Sequence, residues 1–160
     1  MTHYYFDTSA LVKYYIFETG TRWVKALIEK KNAGQWANVL STSALTWAET
    51  ISAFSKRHRS KDISPRLYTA LIDRFLVDGR THYSRLPVDD ATINLAVELI
   101  QSHPLRAYDA VQLATALRLN QILLENHLSP LTFVSADAVL CQSAAAEGLA
   151  MVNPNELEEE

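Results

Sequence analysis

One cysteine, Cys141, occurs in 160 residues. An internal disulfide is therefore excluded, and so is a zinc site built on cysteine ligands. Glycine and proline are also scarce, at 4 and 5 residues, which leaves no collagen-like or Pro/Gly-rich segment. No apolar run approaches the ~20 residues a helix needs to cross a bilayer, so no membrane partner is expected. Met1 to Asp7 holds no basic cluster and meets an acid before any apolar stretch develops. No secretory leader is expected, and a cytoplasmic location follows. Internal repeats and low-complexity linkers are absent.

Charge of one sign is lacking too. The net charge of −3 gives no bulk attraction for nucleic acid, but its distribution matters more. Glu156, Glu158, Glu159 and Glu160 read as an acidic tail over 156–160, and without them residues 1–155 carry +1. The densest basic run is Lys56-Arg57-His58-Arg59, followed by Lys61. It reads either as a solvated helix C-terminus, which favours cations, or as a phosphate-contact patch.

What remains is an ordinary globular composition, 48% apolar and 21% charged, long enough for one domain over 1–155 with a real core. Short apolar runs at His3–Phe6, Val39–Thr42, Tyr83–Leu86, Leu131–Ser135 and Leu149–Val152 predict strands. Helical periodicity fills the intervals. A helix from Thr21 to Lys31, with Trp23, Ala26 and Leu27 on one face, is expected to end at Gly34. Ser43 is a candidate N-cap for a helix reaching about Arg59, with Ala44, Trp47, Ala48, Ile51 and Phe54 as its core stripe. Ser64-Pro65 starts another that stops near Gly79. Asp89 or Asp90 caps a third, whose buried face is expected to be Ile93, Ala96, Val97 and Ile100. Arg106 to Leu117 is apolar or small on nearly every side and reads as a buried helix, Tyr108 included. Alternating strands and helices call for an α/β fold: a mainly parallel sheet with helices on both faces, in three layers.

Four acids stand out against this pattern. Asp7 follows a predicted strand directly and Asp137 stands two residues beyond another, the edge where open α/β sheets carry their sites. Asp109 lies in the first turn of the buried helix, and Glu49 in the second turn of another helix that follows a strand. Each has a plain alternative: a helix cap for Asp7 (or Thr8 or Ser9), a dipole-favoured acid for Asp109, a solvated surface residue for Glu49. Together they are able to meet on one rim. Two carboxylates at ~4 Å repel by ~4 kcal/mol at an effective dielectric near 20. No Arg or Lys is evident beside them in sequence, so a divalent cation is the expected compensation. Oxygen ligands suit Mg²⁺ or Mn²⁺, which activate water and stabilise charge on a phosphodiester.

Asp7-Thr8-Ser9-Ala10-Leu11-Val12-Lys13, Ser43 to Glu49, Arg106 to Ala114, and Phe133 to Asp137 with Gly148 and Asn153-Pro154 together resemble PIN-domain ribonucleases. The likeness is closest to the VapC toxins of type II toxin–antitoxin pairs. Residues 56–99 carry little of it. The resemblance implies an Mg²⁺- or Mn²⁺-dependent endoribonuclease, a homodimer and a cognate antitoxin. It places Asp7, Glu49, Asp109 and Asp137 at the acidic catalytic and metal positions, with Ser9 supporting the first acid. Lys13, Lys56, Arg57 and Arg59 are the candidate RNA contacts. Alternatives are a PIN nuclease of RNA processing, a non-catalytic PIN-like RNA-binding module, and a phosphatase with an aspartate nucleophile. The last usually places a second aspartate two residues on, where this chain has Ser9.

Overall fold

The computed structural model describes residues 1–157. Its elements follow the chain as β1 (Thr2–Phe6), α1 (Thr8–Tyr15), α2 (Thr21–Ile28), β2 (Lys31–Asn32), β3 (Gln35–Trp36), β4 (Asn38–Ser43), α3 (Ala44–Arg59), α4 (Pro65–Thr81) and β5 (Tyr83–Leu86). There follow α5 (Asp90–Ser102), α6 (Ala107–Glu125), β6 (Thr132–Val134), α7 (Ala138–Ala146), β7 (Ala150–Val152) and a 3₁₀ turn at Pro154–Glu156. Five strands form one wholly parallel sheet in the order β5-β4-β1-β6-β7. The chain leaves β1 to build β4 and β5 on one side, then returns to add β6 and β7 on the other. The carboxyl end of β1 is thus the switch point of the sheet, and Asp7 follows it directly.

Side-chain alternation along the strands feeds two cores. Tyr5, Leu131 and Phe133 pack with α5, α6 and α7, while Phe6, Leu40, Tyr83 and Val134 pack with α1 to α4. This is the expected three-layer α/β arrangement, and among the described residues no helix is long and apolar enough to cross a membrane.

Local chemistry sets the helix starts. Ser43 Oγ accepts from Leu45 N, Ser64 Oγ from Leu67 N with Pro65 behind it, and Asp89 Oδ1 from Thr92 N. Several expectations need correction. The helix begun at Thr21 ends at Ile28, because the chain turns into the β2–β3 hairpin with Gly34 at its tip, and its buried side is Val24, Leu27 and Ile28. α3 buries Thr46, Thr50 and Phe54 and leaves Ala48 exposed. α4, by contrast, starts at Pro65 and ends at Thr81, near Gly79 as expected. Ile93, Val97 and Ile100 of α5 are 43, 50 and 41% exposed, and Thr92, Ala96 and Leu99 are buried instead. Arg118 fixes that choice by donating to Asp89 and to Thr92 Oγ1, which turns the Thr92 side toward α6. Ala96 then allows the two helices a close approach. Of the expected acidic tail, Glu156 belongs to the 3₁₀ turn and accepts from Asn153 Nδ2 at 3.1 Å, while Glu158, Glu159 and Glu160 lie outside the described residues.

The chain end closes on the loop before α2. Gly20 has φ +83°, and a Cβ there would stand 2.6 Å from the Pro154 carbonyl oxygen, whereas Gly34 at φ +82° has open space around it. Gly20→Ala therefore combines left-handed strain with a backbone overlap, and Gly34→Ala carries the strain alone. Thermal or urea unfolding should show a loss of about 3 kcal/mol for the first and about 1 kcal/mol for the second. Equal losses would mean that the Gly20–Pro154 approach contributes nothing.

Candidate functional site

Asp7 caps α1 and faces an open cleft at once. Its carboxylate accepts from Ala10 N at 2.9 Å, from Ser135 Oγ at 2.7 Å, and from Ser9 Oγ at 2.8 and 2.9 Å on its two oxygens. Ser9 and Ser135 are themselves held: Ser9 Oγ accepts from Ala136 N at 2.9 Å and Ser135 Oγ from Asp137 N at 3.1 Å. The turn after β6 thus supplies one of the three donors to an acid at the end of β1 and braces a second, Ser9. The capping and functional readings of Asp7 are compatible, since one carboxylate serves both.

The cleft has a volume of about 520 Å³, and Asp7, Ser9, Glu49, Asp109 and Asp137 all line it. Asp137 caps α7 by accepting from Leu140 N at 2.9 Å. Glu49 is held from below. Gln112 Nε2 donates to Glu49 Oε1 at 2.7 Å and Thr8 Oγ1 donates to the same oxygen at 3.0 Å. Gln112 is buried, and its Oε1 accepts from Tyr5 OH at 2.6 Å and from Thr46 Oγ1 at 3.2 Å. Gln112, Thr8, Thr46, Tyr5 and Ser135 were not expected as site residues. Gln112 had a visible signal: it is a polar residue three positions after Asp109, on the same face of a helix whose neighbouring positions there are apolar or small.

Lys13 also lines the cleft; Lys56, Arg57 and Arg59 do not. They lie about 10 Å or more beyond Glu49 along α3, at 1.5 Å per residue. Two further corrections concern α6. Tyr108 is 64% exposed rather than buried, because its side chain points away from the packed face at the helix start. A cation does stand beside the acids: Arg106 Nε lies 3.5 Å from Asp109 Oδ2. Its side chain is 87% exposed, so water screens the pair and leaves most of the repulsion in place.

The electrostatics bear this out. Burial pushes the Asp7 carboxyl up to about 6 despite its three donors, with the Asp109 charge adding to the effect. Asp109 is raised by burial and by the charges of Asp137 and Glu49, against the pull of Arg106. Behind the site, burial pushes the Cys141 thiol up to about 11, which leaves it an inert core residue.

A divalent cation fits this donor set in chemistry. All candidate ligands are carboxylate oxygens, and at least two are destabilised as anions by burial and by one another. Among the described residues no three His, Cys, Asp or Glu side chains form a preformed cage.

Asp7 makes stability pH-dependent in chelator. Its folded pKa of about 6 exceeds its ordinary 3.8, so the native state binds the proton more tightly. The associated stability is fully present below 3.8 and is lost as pH rises through about 6. The loss is on the order of 3 kcal/mol. Unfolding of the wild type and Asp7→Asn across this window should show the wild-type slope and its flattening in the variant. Parallel curves would place the proton elsewhere.

Comparison with known proteins identifies the fold and the family. No curated protein matches the sequence. Among solved structures, FitAcB from Neisseria gonorrhoeae superposes with a TM-score of 0.62 at 16% identity, covering 96% of this chain and 99% of that one. Mycobacterium tuberculosis VapC20, a Sarcin-Ricin loop cleaving toxin, superposes with a TM-score of 0.62 at 17% identity, covering 94% of this chain and 99% of its own. A toxin–antitoxin complex from Klebsiella pneumoniae gives 0.56 at 18%, covering 96% and 98%. These identities show a shared fold. The PIN domain family matches residues 4–127, and with the acids gathered at the switch point of a parallel sheet, the chain belongs to the PIN-domain family.

Proposed function

We propose that the chain is a divalent-metal-dependent endoribonuclease that hydrolyses RNA phosphodiester bonds. In this reading it is the toxin of a type II toxin–antitoxin pair, acting in the cytoplasm as a homodimer that a cognate antitoxin restrains. The observation that carries the reading is the convergence of Asp7, Glu49, Asp109 and Asp137 on one cleft. The toxin role rests on structural neighbours described as a toxin and as a toxin–antitoxin complex. The apolar stripe of Ile93, Val97 and Ile100 left in solvent suits a second copy of the chain.

Asp7 and Asp109 are the residues assigned to hold Mg²⁺ or Mn²⁺, with Glu49 and Asp137 reaching it directly or through water. When bound, the cation supplies Lewis acidity toward the phosphodiester and lowers the pKa of an attacking water. The chain's own residues hold the acids in place for that chemistry. Ser9 and Ser135 fix both oxygens of Asp7, and Gln112 with Thr8 fixes one oxygen of Glu49. Arg106, at the rim beside Asp109, adds positive charge for a flanking phosphate.

Two outcomes are expected. Purified wild type cuts a defined RNA panel with Mg²⁺ or Mn²⁺, EDTA abolishes cutting, and Asp109→Asn lowers the rate by a factor on the order of a hundred or more. Mg²⁺ also raises the melting temperature of the wild type but not of Asp109→Asn. Cleavage that survives both EDTA and Asp109→Asn would sink the metal-nuclease reading. In cells, induced expression of the wild type arrests growth and Asp7→Asn at the same protein level does not. Harmless wild-type expression alongside cleavage in vitro would favour RNA processing over a toxin role.

A further inference from the structure

Glu18 lines the same cleft as the four acids, yet it is bound to cations. Its Oε1 accepts from Lys13 Nζ at 3.1 Å and its Oε2 from Arg57 Nη2 at 3.0 Å. Lys13 donates as well to the Thr19 carbonyl oxygen at 2.8 Å. One carboxylate thus bridges a lysine from α1 and an arginine from α3, the kind of donor pair that holds a phosphate. Ser9 and Lys13 share a face of α1, and Glu49, Ala53 and Arg57 share a face of α3. The two cations therefore continue the acidic rim outward along both helices that frame it.

The two ends of Glu18 differ. Its backbone is pinned: its N–H donates to Thr21 Oγ1 at 2.9 Å and its carbonyl accepts from Thr21 N at 3.0 Å. Its side chain is 32% exposed, and the adjoining Phe17 is 72% exposed, so the loop tip has little cover. The carboxylate is able to swing out without moving the loop. Lys13 has no such freedom. With a side chain only 5% exposed, it must keep an anion beside it.

From this geometry we propose that Lys13 and Arg57 form a phosphate subsite for the RNA strand, and that Glu18 is its resident counter-ion, displaced when the strand binds. The inference rests on the nuclease reading and assigns Glu18 a role within it. Glu18 neutralises Lys13 in the free protein and competes with the backbone phosphate that takes its place. It weakens binding of every strand that does not set a phosphate at this point.

Binding of a short single-stranded RNA, in chelator so that the strand stays intact, is measured against salt for the wild type, Glu18→Gln and Arg57→Gln. Melting is followed in parallel with and without inorganic phosphate. Glu18→Gln should bind about tenfold more tightly, with a salt slope steeper by roughly 0.7. Arg57→Gln should bind more weakly, with a slope shallower by roughly 0.7. Phosphate should raise the melting temperature of Glu18→Gln more than that of the wild type. Unchanged or weaker binding by Glu18→Gln, with an unchanged slope, overturns the proposal. If Glu18→Gln does not fold, Arg57→Gln decides, and a wild-type slope there is equally fatal. A wild type that cleaves RNA while these slopes stay put loses only the subsite. A wild type without chelator-sensitive cleavage loses the nuclease reading, and the phosphate shift in Glu18→Gln still decides the subsite.

Discussion

A buried carboxylate at the end of a central strand is the constraint on which this molecule turns. Left alone, Asp7 would be protonated or would pull water into the core. Three donors hold it, from Ala10 N–H, Ser9 and Ser135, and burial still prevails over them enough to lift its pKa to about 6. The donors orient the group without fully compensating its charge. The remaining imbalance is what the proposed cation would relieve.

The same economy appears one layer further in. Tyr5 stacks on Phe133 in the core at 5.6 Å and gives its hydroxyl to Gln112, which in turn holds Glu49. A core residue of the central strand therefore aims a carboxylate on a helix that packs against the other face of the sheet. Positioning of this sort relies on side chains locked by packing, and it is why the polar residues Gln112, Thr46 and Ser135 are buried where apolar ones would otherwise be expected.

Much of this was legible in the chain. Five strands, their parallel pairing and the caps at Ser43, Ser64 and Asp89 follow from short-range pattern. The acids were found because Asp7 and Asp137 adjoin strand ends, which a parallel sheet must bring to one edge. Other features depend on tertiary choice. α5 has apolar residues on two sides, and the Arg118 contacts with Asp89 and Thr92 decide which side is buried. The β2–β3 hairpin is two residues a side, too short for periodicity to register. The grip of Glu18 on Arg57 spans 39 positions and leaves no local trace, so the basic run looked like an independent patch when one of its members is tied to the cleft wall.

The bond from Ser135 to Asp7 joins residues 128 positions apart. During synthesis Asp7 is made 128 residues before its hydroxyl partner, which directly follows β6. At 5–20 residues per second, roughly 6 to 26 seconds separate the two on the ribosome. Until then the nascent polypeptide has its first acid but neither Ser135 nor Asp137 beside it, so the centre cannot assemble before residue 137 has been made.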